Sequence, residues 1–143
     1  MFEFILLEKK PKDNELQFLY DILKDREYNI SHSTMPSFDK HRSFVFNHPY
    51  RKWYLIKKEK ILIGSLYIGF DNSVGINLLK KHLNHRSEII LLFLKLFSPS
   101  KGKASLRRNE FIFNISINDK NYKNDLEECG AIPIQTTYIF PKY

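Results

Sequence analysis

Three runs of β-branched and aromatic residues follow one another in the middle of the chain: Trp53 to Lys57, Ile61 to Phe70 and Val74 to Leu79. Only Lys58-Glu59-Lys60 separates the first pair, and Asp71-Asn72-Ser73 the second. Both separators are hairpin-turn chemistry, so the three runs predict an antiparallel meander. Gly64 and Gly69 inside the second run mark a bulge, or the close approach of another backbone or a ligand.

On either side of the meander the period of the pattern changes. Phe2 to Leu7 is a short β-favouring run closed by Pro11. Asp13 or Asn14 is placed to cap a helix in which Leu16, Leu19, Tyr20 and Leu23 recur every three or four residues, ending near Arg26. Residues 28–36 read as a polar loop. Ser37 offers a second cap for a shorter helix carrying His41, Phe44 and Val45, which must end near His48-Pro49. After the meander, Ser87 to Phe97 is a helix apolar over most of its circumference, hence deeply packed. A basic loop from Ser98 to Arg108, a strand from Phe111 to Ile117, and a short helix from Asn121 to Cys129 follow. Gly130 stops that helix, and Ile132 to Phe140 reads as a final strand. The order β-α-α-β-β-β-α-β-α-β predicts an α/β fold, a mixed and mostly antiparallel sheet flanked by about four helices.

The 143 residues fit one domain, 1–143, and 43% hydrophobic content is enough for a core at that length. Cys129 is the only cysteine, which excludes an internal disulfide framework and a multi-cysteine zinc site; the five histidines show no HxH or HExxH spacing, so no metal site is expected. The net charge of +7 asks for an anionic partner: a phosphorylated cofactor, a nucleotide-linked substrate, nucleic acid or a membrane surface. The first apolar run is too short for a signal peptide and is interrupted by Glu3 and Glu8. The longest, Ile89 to Phe97, is broken by Lys95 and falls well short of the roughly 20 residues of a membrane span. A soluble, cytoplasmic protein is expected.

In this order and at this length the elements resemble the Gcn5-related N-acetyltransferase superfamily (GNAT). Ile61-Leu-Ile-Gly-Ser-Leu-Tyr-Ile68 is similar to the family's third strand, Val74-Gly-Ile-Asn-Leu78 stands at its cofactor-binding fourth strand, and Asp119 to Ala131 looks like its "Asn-x-x-Ser … Glu-Lys-x-Gly-Phe" segment. The segment from Phe46 to Ile56 is most similar to members that acetylate nucleotide-linked amino sugars in nonulosonic-acid pathways. The resemblance implies acetyl-CoA as co-substrate and a small-molecule primary amine as acceptor. It also implies a fourth and fifth strand that splay apart, so that backbone groups of Ile76 and Leu78 bond the pantetheine arm. The following loop and helix N-terminus would hold the pyrophosphate.

Two departures stand out. The family's phosphate loop is glycine-rich, whereas Lys80-Lys-His-Leu-Asn-His-Arg-Ser87 has no glycine. Asn84 would stand in for one glycine in a left-handed conformation, Ser87 would cap the helix, and Lys81, His85 and Arg86 would supply charge. The family's thiolate-protonating tyrosine falls on Leu126, leaving Tyr122, one turn earlier, as the candidate acid from a different geometry; Ala131 replaces the customary phenylalanine. The resemblance places an acceptor wall at His41, His48, Tyr50, Trp53 and Tyr54, with His41 the candidate base. The plainer reading puts Trp53 in the core and the histidines in solvent. Asn121 would touch the pantetheine arm or cap its helix. Asp71 reads as a turn residue, Asn72 and Asn77 are amides and cannot be bases, and Cys129 reads as a small buried hydrophobe.

Three functions therefore stand: an N-acetyltransferase, a catalytically degenerate binding domain of the same fold, and a small basic module for anions or nucleic acid. Lys101 to Arg108 would serve the third or the adenosine phosphate of CoA, yet no RNA-recognition, KH or helix-turn-helix signature supports nucleic-acid recognition. A homodimer is the assembly expected.

Overall fold

The computed structural model describes residues 1–26 and 34–142; positions 28–33 of the expected polar loop lie outside them. Strand β1 (Phe2–Leu6) runs antiparallel to β2 (Lys52–Lys58), which pairs with β3 (Ile61–Ile68), which pairs with β4 (Ser73–Leu78), all antiparallel. A two-residue strand, β5 (Ile112–Phe113), lies parallel to β4, giving the order β1-β2-β3-β4-β5. The helices are α1 (Asp13–Asp25), α2 (Phe38–Phe46), α3 (Arg86–Leu96) and α4 (Lys120–Glu128). None of them is long and apolar enough to cross a membrane among the described residues.

Alternation along β4 fixes which face each residue serves. Val74, Ile76 and Leu78 enter one core with Ile56, Leu66, Ile89 and Phe93; Leu16, Leu19, Ile22, Val45 and Leu55 form a second core beneath α1 and α2. The sheet is thus covered on both faces. The register slips between Ile56 and Lys57, where Gly64 and Leu62 are the successive partners and Ile63 is the extra residue. Beside that bulge a side chain on Gly64 would collide with the Asn77 carbonyl and with Leu78, the close approach expected of a glycine there.

Ser37 caps α2 as expected, its Oγ accepting from the Lys40 N–H at 3.3 Å. Three boundaries differ from the sequence reading. The N-cap of α1 is Lys12 rather than Asp13 or Asn14, and Glu15 reaches back to accept from the Lys12 N–H at 2.9 Å. Asp119, not Asn121, caps α4 by accepting from the Tyr122 N–H at 3.0 Å. The last expected strand, Ile132 to Phe140, is absent: Ile132, Tyr138 and Phe140 are exposed, Phe140 at 99%. Alternating apolar residues equip a segment for a strand, but a strand forms only on a hydrogen-bonding edge, and β5 offers two residues instead of the expected seven from Phe111 to Ile117. Gly130 does stop α4, at φ 96°.

The turn residue Asn72 does more than turn. At φ 66° and fully buried, its amide donates to the carbonyls of Ser100 and Arg108 and accepts from the Ser100 N–H, all at 2.8 Å. Its own carbonyl accepts from Ile112 N–H at 3.0 Å, where β5 begins. This one side chain anchors the basic loop and the fifth strand to the hairpin. Asn72→Ala takes the partner from the Ser100 N–H and from the Ser100 and Arg108 carbonyls, and is expected to cost about 2–4 kcal/mol, read from urea denaturation. A change below about 0.5 kcal/mol contradicts the anchoring role.

Candidate active site

Pairing between β4 and β5 stops after Ser73↔Ile112 and Val74↔Phe113. Beyond that point the strands separate, and Gly75 to Leu78 border a cavity of about 660 Å³ whose far wall includes Asn114, Ile115 and Ser116. The cleft is therefore a split in the sheet, as expected for Ile76 and Leu78.

On the α4 side of the split stands Tyr122. The Asp119 cap fixes the start of α4, and the Arg86 guanidinium lies over the Tyr122 ring at 4.0 Å. Asp125, three residues on and so on the same helix face, accepts from Arg86 Nε at 2.7 Å and from Ser87 Oγ at 3.3 Å. Burial pushes the Tyr122 hydroxyl well above the usual phenol range, opposed by Arg86 and by a hydrogen bond from the Ile76 backbone. The hydroxyl therefore keeps its proton at neutral pH and sits against the amide edge of β4.

The opposite wall comes from α1, α2 and the odd-numbered face of β4. His41 is 4% exposed, packed against the rings of Tyr20 and Phe38, and lines the cavity; it does not face solvent. Tyr50 stacks on Tyr67 with centroids 4.0 Å apart and meets Trp53 edge-on at 5.1 Å. The Tyr67 ring fits because its register partner is Gly75, where any Cβ would strike it. Arg26 closes this wall, its Nη1 donating to Asn77 Oδ1 at 3.1 Å.

Burial raises the Tyr50 phenol to about 12, Tyr67 adding to the shift and Arg26 opposing it. A folded-state pKa above the unfolded 10.0 gives a contribution present in full below pH 10 and lost as pH rises toward 12, because the unfolded phenol ionises first. Wild type is expected to lose more denaturant stability than Tyr50→Phe across that window; equal losses contradict it.

The glycine-free segment takes a shape the sequence reading did not foresee. Lys80–His85 is a 3-10 turn running directly into α3. Asn84 is not left-handed, since positive φ among the described non-glycine residues occurs at Glu59, Lys60, Asn72 and Ser105. Ser87 lies inside α3 and donates to Asp125 instead of capping. Arg86, 5% exposed, turns inward to Asp125 and Tyr122. His85 meets Lys58 Nζ at 3.2 Å, outside the cavity, and Lys81, Asn84 and Ser87 are also absent from its lining.

Of the acceptor-wall candidates, Tyr50 and Trp53 line the cavity and His48 does not: His48 Nδ1 accepts from the Tyr50 N–H at 3.2 Å behind them. Trp53, 7% exposed, is both core and wall. Asn121 and Arg86 line the cavity with Tyr122. Cys129 is half-buried, its thiol pushed up by burial and donating to the Ser87 carbonyl at 3.6 Å. Sequence reasoning missed Arg26, read only as a helix end, and Tyr67; the latter was signalled by Gly75 at the facing position of the meander.

No protein-family model matches the chain, and no curated protein does. Solved structures do. A possible acetyltransferase from Clostridium difficile 630 superposes with a TM-score of 0.59 at 9% identity, over 100% of this chain and 98% of the other. A dodecameric spermidine N-acetyltransferase from Vibrio cholerae gives 0.53 at 14%, over 94% and 81%. A domain from Methanocaldococcus jannaschii DSM 2661 gives 0.58 at 16%, over 91% and 88%. At these identities the likeness is one of fold: the α/β acyltransferase (GNAT) fold that the element order implied.

Proposed function

We propose that the chain is an N-acetyltransferase that moves an acetyl group from acetyl-CoA to a primary amine. The observation that carries this reading is the Tyr122 hydroxyl held against the Ile76 amide, beside the split between β4 and β5. The unpaired edge of β4 suits the pantetheine arm, which carries amides able to bond like an added strand. The 3-10 turn offers no glycine cradle, and Lys80 is its one cation on the cavity lining, so this reading assigns the phosphates to Lys80.

Acetyl-CoA, when bound, supplies an acetyl group activated as a thioester. The chain's own part begins with β4, whose edge along the split is assigned to the thioester oxygen as it gains charge. An amine entering along the Tyr50–Trp53 wall attacks only when neutral, and this reading assigns its proton to His41, which lines the cavity. Tyr122 donates a proton to the departing thiolate. An amino sugar linked to a nucleotide is the acceptor this reading favours, because the Tyr50–Tyr67 stack and Trp53 suit a flat ring or sugar face.

Calorimetry with acetyl-CoA tests the reading, with saturable binding expected; no heat at millimolar ligand contradicts it. The glycine-free turn favours a second reading, a domain that binds CoA without turning it over, for which binding with no acetyl transfer to any amine is the expected result. A homodimer is proposed for the exposed Ile132, Tyr138 and Phe140, which a second chain would cover. Light scattering is expected to give twice the chain mass; a monomer contradicts it.

A further inference from the structure

The acceptor wall contains unused hydrogen-bond donors and almost no negative charge. Arg26 spends Nη1 on Asn77, but its Nε is buried with no partner among the described residues. The Trp53 indole N–H is likewise buried without an acceptor among those residues. Both residues line the cavity, and Tyr50 links them: it touches Trp53 edge-on and its phenol is in electrostatic reach of Arg26. Lys40 adds positive charge to the lining. The one acidic lining residue among the described residues, Asp119, is engaged in capping α4. Buried donors left unpaired are costly, so a ligand that brings acceptor oxygens regains that free energy.

Resting on the reading of the cleft as an amine acetyltransferase, we infer that the acceptor carries an anionic group, carboxylate or phosphate, which the Arg26 guanidinium binds beside the Tyr50–Tyr67 stack and Trp53. A guanidinium fixed by Asn77 presents its remaining N–H groups in a planar fork matched to two oxygens of either group. A polycation meets charge of the wrong sign there.

Trp53 is the only tryptophan and lies in this wall, so its fluorescence reports binding without any acetyl transfer. The probes are two matched pairs of amines: glucosamine 1-phosphate against glucosamine, and phenylalanine against phenethylamine, with spermidine as the polycation. One anionic member is expected to bind roughly 10- to 100-fold tighter than its neutral or cationic match, and spermidine weakest. The pair that shows the gap identifies phosphate or carboxylate. Arg26→Gln is expected to close the gap without moving the neutral member, while Arg26→Lys retains part of it. Equal binding within both pairs overturns the inference, as does a gap that survives in Arg26→Gln. If Arg26→Gln unfolds, the Arg26→Lys gap decides: an undiminished gap overturns the fork, a reduced one supports it. A gap with no acetyl transfer overturns the enzymatic reading alone, and acetyl transfer without a gap overturns the anion site alone.

Discussion

Tyr122→Phe is expected to lower the acetyl-transfer rate at least about 100-fold while leaving CoA affinity and thermal stability nearly unchanged. The substitution removes one oxygen and keeps the ring that Arg86 covers at 4.0 Å, so the packing of α4 against α3 survives. What it removes is a hydroxyl whose proton is held firmly by burial and which faces the Ile76 amide. General acid catalysis by a positioned side chain contributes roughly 10²–10⁴ in rate, and the lower end suits an acid with so high a pKa, since its proton is less readily given. A variant with full activity contradicts the assignment of Tyr122. One that loses CoA binding as well points to a structural role for the hydroxyl instead.

Asp125→Ala is expected to destabilise the domain by about 3 kcal/mol. Arg86 is 5% exposed and Asp125 24%, with Nε and Oδ2 only 2.7 Å apart. Removing the carboxylate strands a buried guanidinium and leaves Ser87 Oγ without its acceptor, which costs far more than a surface pair does. For a chain of this size the loss corresponds to a fall in Tm of about 10 °C. Asp125→Asn keeps an acceptor for Arg86 and is expected to recover part of the loss. A fall in Tm below about 2 °C for Asp125→Ala contradicts the buried-pair reading. The variant also tests the site, since Arg86 freed from Asp125 no longer holds Tyr122 beneath it.

The fold was legible where side-chain chemistry is local. The turns Lys58-Glu59-Lys60 and Asp71-Asn72-Ser73 set the meander, and the Ser37 cap set α2. The split at β4 followed from a likeness of order, and Ile76 and Leu78 lie on it. Charge was a poorer guide. Arg86 stood in a basic run and read as a phosphate ligand, yet Asp125, 39 positions away, turns it inward. Only tertiary structure brings that carboxylate to it. Asn84 tolerates a left-handed backbone, but the 3-10 turn never asks for one. The segment 132–140 has a strand's alternation without a strand's partner, and no periodicity in one chain reveals whether an edge is on offer. Arg26 escaped notice because a basic residue ending a helix is ordinary; its bond to Asn77 spans 51 positions.

Acetyl transfer itself is the most direct measurement. The wild-type chain is incubated with acetyl-CoA and each amine of the matched pairs, and free CoA thiol and acetylated amine are followed together. The expected result is one mole of acetylated amine for each mole of thiol, with an anionic acceptor preferred and the rate lost in Tyr122→Phe. Saturable CoA binding with no acetylated product from any amine would contradict catalysis and leave a binding domain in its place.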